Sequence, residues 1–281
     1  MGALHNVSEM RIRSRSVRAR GSRLGLVPTM GALHEGHLSL VRAAKSKSEV
    51  VAASIFVNPT QFGPNEDFTR YPRDLDRDLS LLEREGVDMV FVPSVEEMYL
   101  QQSVTWVTVE GLSDRLCGKS RPGHFRGVAT VVAKLFNIVE PDIAFFGQKD
   151  AAQVAVIRRM VRDLNIPVAI NVCPIVRESD GLALSSRNAY LSPEQRRDAL
   201  VLFRALMRAR ELFESGERNP AALIEAAKNV FAGSPAVRLD YIEIVDPDEL
   251  TPLTTIDHPA LVAVAAFVGN TRLIDNIVLE P

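Results

Sequence analysis

Cysteine and aromatic residues are scarce in this chain. Its 281 residues include two cysteines, one tryptophan and only 6% aromatics. Cys117 and Cys173 lie in unrelated contexts with no CxxC or Cys/His spacing, so neither a zinc site nor a disulfide framework is implied. No apolar run nears the ~18 residues needed to cross a bilayer. The N-terminus lacks the apolar segment of a signal peptide, and the expectation is a cytoplasmic protein with no membrane partner. An excess of one charge is also missing, since 33 Lys and Arg face 35 Asp and Glu. That near-balance argues against a dedicated nucleic-acid binder, which carries a basic face. The one basic cluster, RIRSRSVRARGSR at 11–23, reads as a solvated helix or loop.

What is present is ordinary globular material, 46% hydrophobic and 24% charged, with a length that suits about two domains. In the first two thirds, β-branched runs at 23–28, 50–57, 87–93, 104–109, 141–147 and 167–172 read as strands. Amphipathic stretches at 37–48, 73–85, 124–139 and 149–163 read as helices between them. This alternation predicts right-handed βαβ crossovers and a Rossmann-like, mostly parallel sheet with helices on both faces. Near residue 176 the pattern changes. A long helix over 192–216, with Ser192 as cap and Pro193 in its first turn, precedes a second helix over 220–232. Three strand-like runs follow, the last two joined at Gly269-Asn270. The fold class is therefore α/β, with a Rossmann-like domain over 1–176 and a smaller α+β domain over 177–281.

Ligands of such sheets bind outside the carboxyl ends of the strands, and four segments sit there or shortly beyond. HEGH places His34 and His37 three apart. A zinc-protease helix needs histidines four apart, so metal binding fits poorly. Histidines that merely decorate a helix start remain possible. A phosphate site is the third reading, with N–H donors at the helix start and Gly31 and Gly36 allowing close backbone approach. Gln61 follows a strand broken at Asn58-Pro59. FGQKDAAQV puts Lys149 and Gln153 on one helix face after a strand end, so it should converge with the histidine segment. SSR at 185–187 supplies hydroxyls and a guanidinium suited to polyphosphate. The pentapeptide MGALH also occurs twice, at 1–5 and 30–34, and the first copy has Ser8 where the second has His37.

Taken together, PTMGALHEGHLSLV, SIFVNPTQFGPNEDFTRYPR, GHFRGVATVVAKLFNIVEPDIAFFGQKDAAQ, IVRESDGLALSSRN and YLSPEQR resemble the pantothenate synthetases, ligases of the HxGH nucleotidyltransferase superfamily. The resemblance implies that ATP and pantoate form a pantoyl adenylate, which β-alanine then attacks to release pantothenate and AMP, with Mg²⁺ assisting. It implies an ATP site made of Met30, Gly31, Ala32, Leu33, His34, Glu35, Gly36, His37, Gly147, Gln148, Lys149, Asp150, Val176, Leu184, Ser185, Ser186 and Arg187. His37, His34 and Lys149 would be catalytic. Gln61 and Gln153 would hold pantoate, with the Gln61 region also serving β-alanine, and the family forms homodimers through the larger domain. Two other readings stay open at this level. One is an HxGH nucleotidyltransferase with a phosphorylated acceptor, which the uncharged Gln61/Gln153 pair opposes. The other is a non-catalytic nucleotide-binding regulator, which the intact histidines and Lys149 oppose.

Overall fold

The computed structural model describes residues 2–281 apart from positions 65 and 102. Its elements run β1 (Ala3–Leu4), α1 (Val7–Ala19), β2 (Leu24–Thr29), α2 (Glu35–Lys45), β3 (Val50–Ile55), α3 (Leu75–Arg84), β4 (Met89–Phe91), α4 (Val95–Met98), α5 (Cys117–Ser120), α6 (His124–Val139), β5 (Ile143–Gly147), α7 (Ala151–Asp163) and β6 (Ala169–Cys173). After these come α8 (Pro193–Glu214), α9 (Pro220–Phe231), β7 (Val237–Val245), β8 (Ala260–Val268) and β9 (Thr271–Leu279). The chain divides into two compact units. The first runs to Asp114 and includes Gly118–Gly147 and Val156–Pro174; the second holds Arg115–Cys117, Gln148–Ala155 and Ile175–Pro281.

In the first unit six strands form one parallel sheet in the order β1-β4-β3-β2-β5-β6. The chain moves outward from β2 through β3 to β4, then returns to build β5 and β6 on the other side. The order reverses between β2 and β5, the switch point at which open α/β sheets hold their ligands. Val27, Val51, Ala53, Val90 and Phe145 from the strands bury against Leu40, Val41 and Ala44 of α2. Such strands read as continuous apolar runs because parallel sheets are covered on both faces.

One expectation fails here. The run at 104–109 is no strand and joins no ladder. Its contacts are instead with α6, where Val107 N–H donates to Thr130 Oγ1 at 3.0 Å and the Arg126 guanidinium lies over the Trp106 ring. With Val104 84% and Trp106 41% exposed, this β-branched run is a surface segment resting on a helix. Conversely, Ala3–Leu4 does enter the sheet, pairing with Val90 and Phe91 of β4. The basic cluster is a helix, α1, which buries Met10, Ser14 and Val17, while Arg15 and Arg18 pair with Glu140.

In the second unit β7, β8 and β9 form an antiparallel meander. Helices α8 and α9 cover it, and Leu202, Leu206, Leu223, Ile242 and Val264 share its core. Ser192 caps α8 in a full capping box with Gln195, and Pro193 occupies its first turn. Val268 and Thr271 pair across the two-residue Gly269-Asn270 turn. Among the described residues no helix is long and apolar enough to cross a membrane.

Candidate active site

The loop after β2 enters α2 through the histidine pair. His34 is the N-cap, and its Nδ1 accepts the N–H of Gly36 at 3.1 Å. His37 reaches back, its Nδ1 accepting the N–H of His34 at 3.3 Å. The rings lie 4.2 Å apart, centroid to centroid. This is a capping box built from two imidazoles instead of a hydroxyl and a carboxylate. A ring nitrogen that accepts an N–H carries no proton, so each neutral imidazole holds its hydrogen on Nε2. Both histidines are thereby preset as Nε2–H donors. The N–H groups of Gly31 and Gly36 are engaged inside the loop, however. Gly31 N–H donates to Thr29 Oγ1 at 3.2 Å, and Gly36 N–H to His34.

Beside β2, strand β3 ends in a short 3-10 turn over Pro59–Gln61. Gln61 is buried, with Nε2 3.0 Å from Met30 Sδ, so one residue of the expected nucleotide segment meets one of the expected acid-binding residues. The turn is seated on α6. An added Cβ at Gly127 would stand 2.3 Å from Thr60 O, so only glycine permits this approach. His124 Nδ1 bonds to Gln61 O at 2.8 Å, and Arg121 donates to the same oxygen at 3.2 Å. Because Arg121 also donates to His124 Nε2 at 3.0 Å, His124 carries its proton on Nδ1. Gly147 closes β5 on the far side of the switch point.

The remaining expected residues belong to the second unit. Gln148, Lys149 and Asp150 form a 3-10 turn, and α7 begins only at Ala151, so Lys149 precedes the helix instead of opening it. Its Nζ lies 4.0 Å from Asp150 Oδ1. Gln153 is half-buried one turn along, in α7. Val176 and Leu184 are brought together by the Leu184 N–H bond to Val176 O at 3.0 Å, at the base of a narrow loop closed by the Arg177–Ala183 bridge. Ser185 caps the following turn, accepting the Arg187 N–H at 3.3 Å.

Several supporting residues escaped the sequence reading. Strand β9 contributes Asp275 and Asn276, a buried polar pair in an apolar strand. Asn276 Nδ2 donates to the main-chain oxygens of Gln148 and Lys149, both at 3.0 Å, and Gln148 Nε2 donates back to its Oδ1. Asp275 takes two bonds from Arg177, at 2.6 and 2.9 Å. Two expected nucleotide segments of this unit, at 148–150 and 176–187, are thus tied to adjacent residues of one strand. The break in the apolar pattern of TRLIDNIVL was the available signal. In the first unit the unrecognised residues are Asn58 and Asp78, each 1% exposed. Asp78 Oδ2 and Oδ1 accept the N–H groups of Ala32 and Leu33, both at 2.8 Å. Burial pushes its carboxyl above the ordinary range, opposed by those two bonds and by Arg77.

In the first unit, a parallel sheet with two Nε2–H imidazoles at its switch point defines an α/β protein of the nucleotide-binding type. Residues 2–278 match the family described as Pantoate-beta-alanine ligase. A pantothenate synthetase of Koribacter versatilis is 58% identical over 280 residues, covering 100% of this chain and 96% of that one. Another, of Acidobacterium capsulatum, is 64% identical over 256 residues, covering 91% and 86%. The crystal structure of pantothenate synthetase from Thermus thermophilus superposes with a TM-score of 0.95 at 49% identity, each chain fully covered. The pantoate-beta-alanine ligase of Francisella tularensis, complexed with beta-gamma ATP and beta-alanine, gives 0.77 at 34% identity, covering 99% and 97%. The chain belongs to the pantoate–β-alanine ligase family, and it is an enzyme that joins pantoate to β-alanine to form pantothenate.

Proposed function

We propose that the ligation runs through an acyl adenylate made from ATP. A carboxylate is a poor electrophile at neutral pH. Its oxygen attacks the α-phosphorus of ATP, the bond to the β-phosphate oxygen breaks, and pyrophosphate leaves. The amine of β-alanine then attacks the acyl carbon, the bond to AMP breaks, and the amine loses a proton as the amide forms. The observation that carries this reading is the reciprocal imidazole cap, which supports two preset N–H donors for charge gathering on the phosphates. His34, His37 and Lys149 act on that charge. Met30 to His37, Gly147 to Asp150, and Leu184 to Arg187 hold the nucleotide, with Val176 against adenine through its backbone.

Gln61 and Gln153 hold pantoate, and the Gln61 region receives β-alanine. Among the described residues no group of three His, Cys, Asp or Glu side chains is arranged to hold a metal. Mg²⁺ fits this site as a partner of the phosphates, its usual mode, with Asp150 the acid in the nucleotide segment. It would supply neutralisation of phosphate charge. The enzyme acts in the cytoplasm as a homodimer formed through the larger unit, a reading supported by the exposed apolar side chains of Leu100, Val104 and Trp106. Sedimentation of Val104→Asp protein tests the dimer; an unchanged dimer would move the interface elsewhere.

The adenylate route is tested by isotope exchange between pyrophosphate and ATP. Exchange is expected with pantoate alone, and AMP release only when β-alanine is added. Formation of ADP and inorganic phosphate would overturn it.

A further inference from the structure

The turn at residues 31–33 passes through two left-handed residues in succession, Gly31 at φ 82° and Ala32 at φ 51°. Consecutive N–H groups in a tight turn point into one concavity and form a nest for an anion. In a loop that serves a nucleotide the expected occupant is a phosphate. Here the nest is already filled, because the carboxylate of Asp78 receives the N–H groups of Ala32 and Leu33 on its two oxygens. Asp78 sits in the first half of α3, where its neighbour Arg77 donates to the carbonyl of Leu33 at 3.1 Å. Helix α3 therefore grips both polarities of the loop backbone, N–H through Asp78 and C=O through Arg77.

We propose that Asp78 is a positioning residue for the nucleotide, an internal anion that holds the 31–33 turn in its left-handed form. Resting on the reading that residues 30–37 serve ATP, this divides the labour of the loop. The N–H groups of Ala32 and Leu33 are spent on a fixed protein charge and that of Gly31 on Thr29 Oγ1, so phosphate recognition falls to side chains, the two imidazoles above all. A loop locked at both ends of this turn also presents Met30 to Gln61 and His34 to the start of α2 at set positions. Without the internal carboxylate, Ala32 would relax from a conformation that residues with a Cβ seldom adopt. The cap that presets His34 and His37 would then lose its approach geometry.

Three variants test this. Asp78→Asn keeps the shape but replaces one acceptor oxygen with an NH₂ group, leaving one buried N–H without an acceptor whichever way the amide turns. Arg77→Met loosens the Leu33 carbonyl from a half-exposed position and spares the core. Gly31→Ala places a Cβ 2.9 Å from Asp78 Oδ2 at a φ suited to glycine, and so disturbs the same contact from the loop side. Michaelis constants for ATP, pantoate and β-alanine are measured together with the melting temperature. Asp78→Asn is expected to raise the ATP constant about tenfold or more, the scale of one lost charge-assisted hydrogen bond, with the β-alanine constant within about twofold. Arg77→Met and Gly31→Ala should move the ATP constant in the same direction.

A folded Asp78→Asn enzyme with wild-type ATP dependence, or with all three constants shifted equally, overturns the proposal. Should that variant not fold, unchanged ATP constants in both others overturn it. Direct titration with ATP by calorimetry separates this from the adenylate route: the wild-type enzyme can bind ATP and fail pyrophosphate exchange, while the affinity difference between it and the variants still reports on Asp78.

Discussion

Asn58 donates its side-chain N–H to Gln61 Oε1 across 3.1 Å, and that buried bond fixes the orientation of the Gln61 amide, with Nε2 toward Met30 Sδ. The direction of Asn58 is itself fixed by backbone and by a tyrosine hydroxyl. Its Nδ2 donates to Gly127 O at 3.2 Å, and its Oδ1 accepts from Thr60 N–H at 3.4 Å and from Tyr99 OH at 2.9 Å. In the fold the Gln61 oxygen is committed to Asn58, and Nε2 is the donating end.

Asn58→Asp inverts this relay. A carboxylate would face both Gly127 O and Gln61 Oε1, and the Gln61 amide should turn to relieve the repulsion. Its oxygen would then point toward the oxygens of the acid substrate. The Michaelis constant for pantoate is expected to rise about 10- to 100-fold, corresponding to a buried polar mismatch of roughly 1–3 kcal/mol. The ATP constant should move far less. Steady-state kinetics decide it, and equal shifts in both constants would mean that Asn58 serves the whole loop and not the orientation of Gln61.

The histidine cap yields the next expectation. His37→Ala removes a preset donor and also the acceptor for the His34 N–H, and adenylate formation should fall about 10²-fold or more, the usual scale for one oxyanion-type donor. Loss of half of the cap should cost only about 1 kcal/mol of stability. Pyrophosphate exchange and thermal unfolding of the same sample separate the two effects. Near-normal exchange in folded His37→Ala protein would remove the imidazole from the chemistry.

These contacts show where sequence reading succeeds and where it stops. The βαβ alternation, the Ser192 cap, the Gly269-Asn270 hairpin and the family's motifs were legible because each is written in neighbouring residues. Asn58, Asp78 and Asn276 were not, since each acts on main chain 45 to 128 positions away, as in the bonds from Asp78 to Leu33 and from Asn276 to Gln148. A buried Asp in a charged helix such as LDRDLSLLER looks like any surface acid until the fold turns it inward. The run at 104–109 failed in the opposite way: its β-branched composition was real, but among the described residues no strand pairs with it.

The repeated pentapeptide has a structural answer. Residue 1 lies outside the described residues, but Ala3 and Leu4 form the edge strand β1, His5 Nδ1 bonds to Val92 O at 2.8 Å, and Val7 N–H donates to Glu97 Oε1 at 2.6 Å. Deleting residues 1–5 should leave turnover near normal at 25 °C. It should nonetheless lower the melting temperature, because buried Leu4 contributes about 1.5–3 kcal/mol. A shift of roughly 3–10 °C follows for units of this size. An unchanged melting curve would mean that β1 contributes nothing to the sheet, and lost turnover at full stability would give the segment a chemical role.

The last expectation concerns acid. Glu66 is bound by Arg121 through two bonds, at 2.6 and 2.5 Å, and Arg121 also holds the Gln61 carbonyl. Burial pushes the Glu66 carboxyl up, but the Arg121 hydrogen bonds and charge, the Gly63 N–H and His124 together outweigh it and set the value below the ordinary one. A carboxyl depressed in the folded state stabilises fully above its unfolded value, about 4.3 for glutamate, and loses that contribution as pH falls through the lower folded value. Arg121→Met should therefore be less stable than wild type by a constant margin above about pH 5, and the margin should shrink below about pH 4 as Glu66 protonates in both proteins. The carboxylate is about a quarter exposed, so solvent screening keeps the effect modest. Denaturant unfolding from pH 3 to 8 measures it. A margin independent of pH would show that Arg121 acts only through the Gln61 and His124 contacts, with the ion pair contributing nothing.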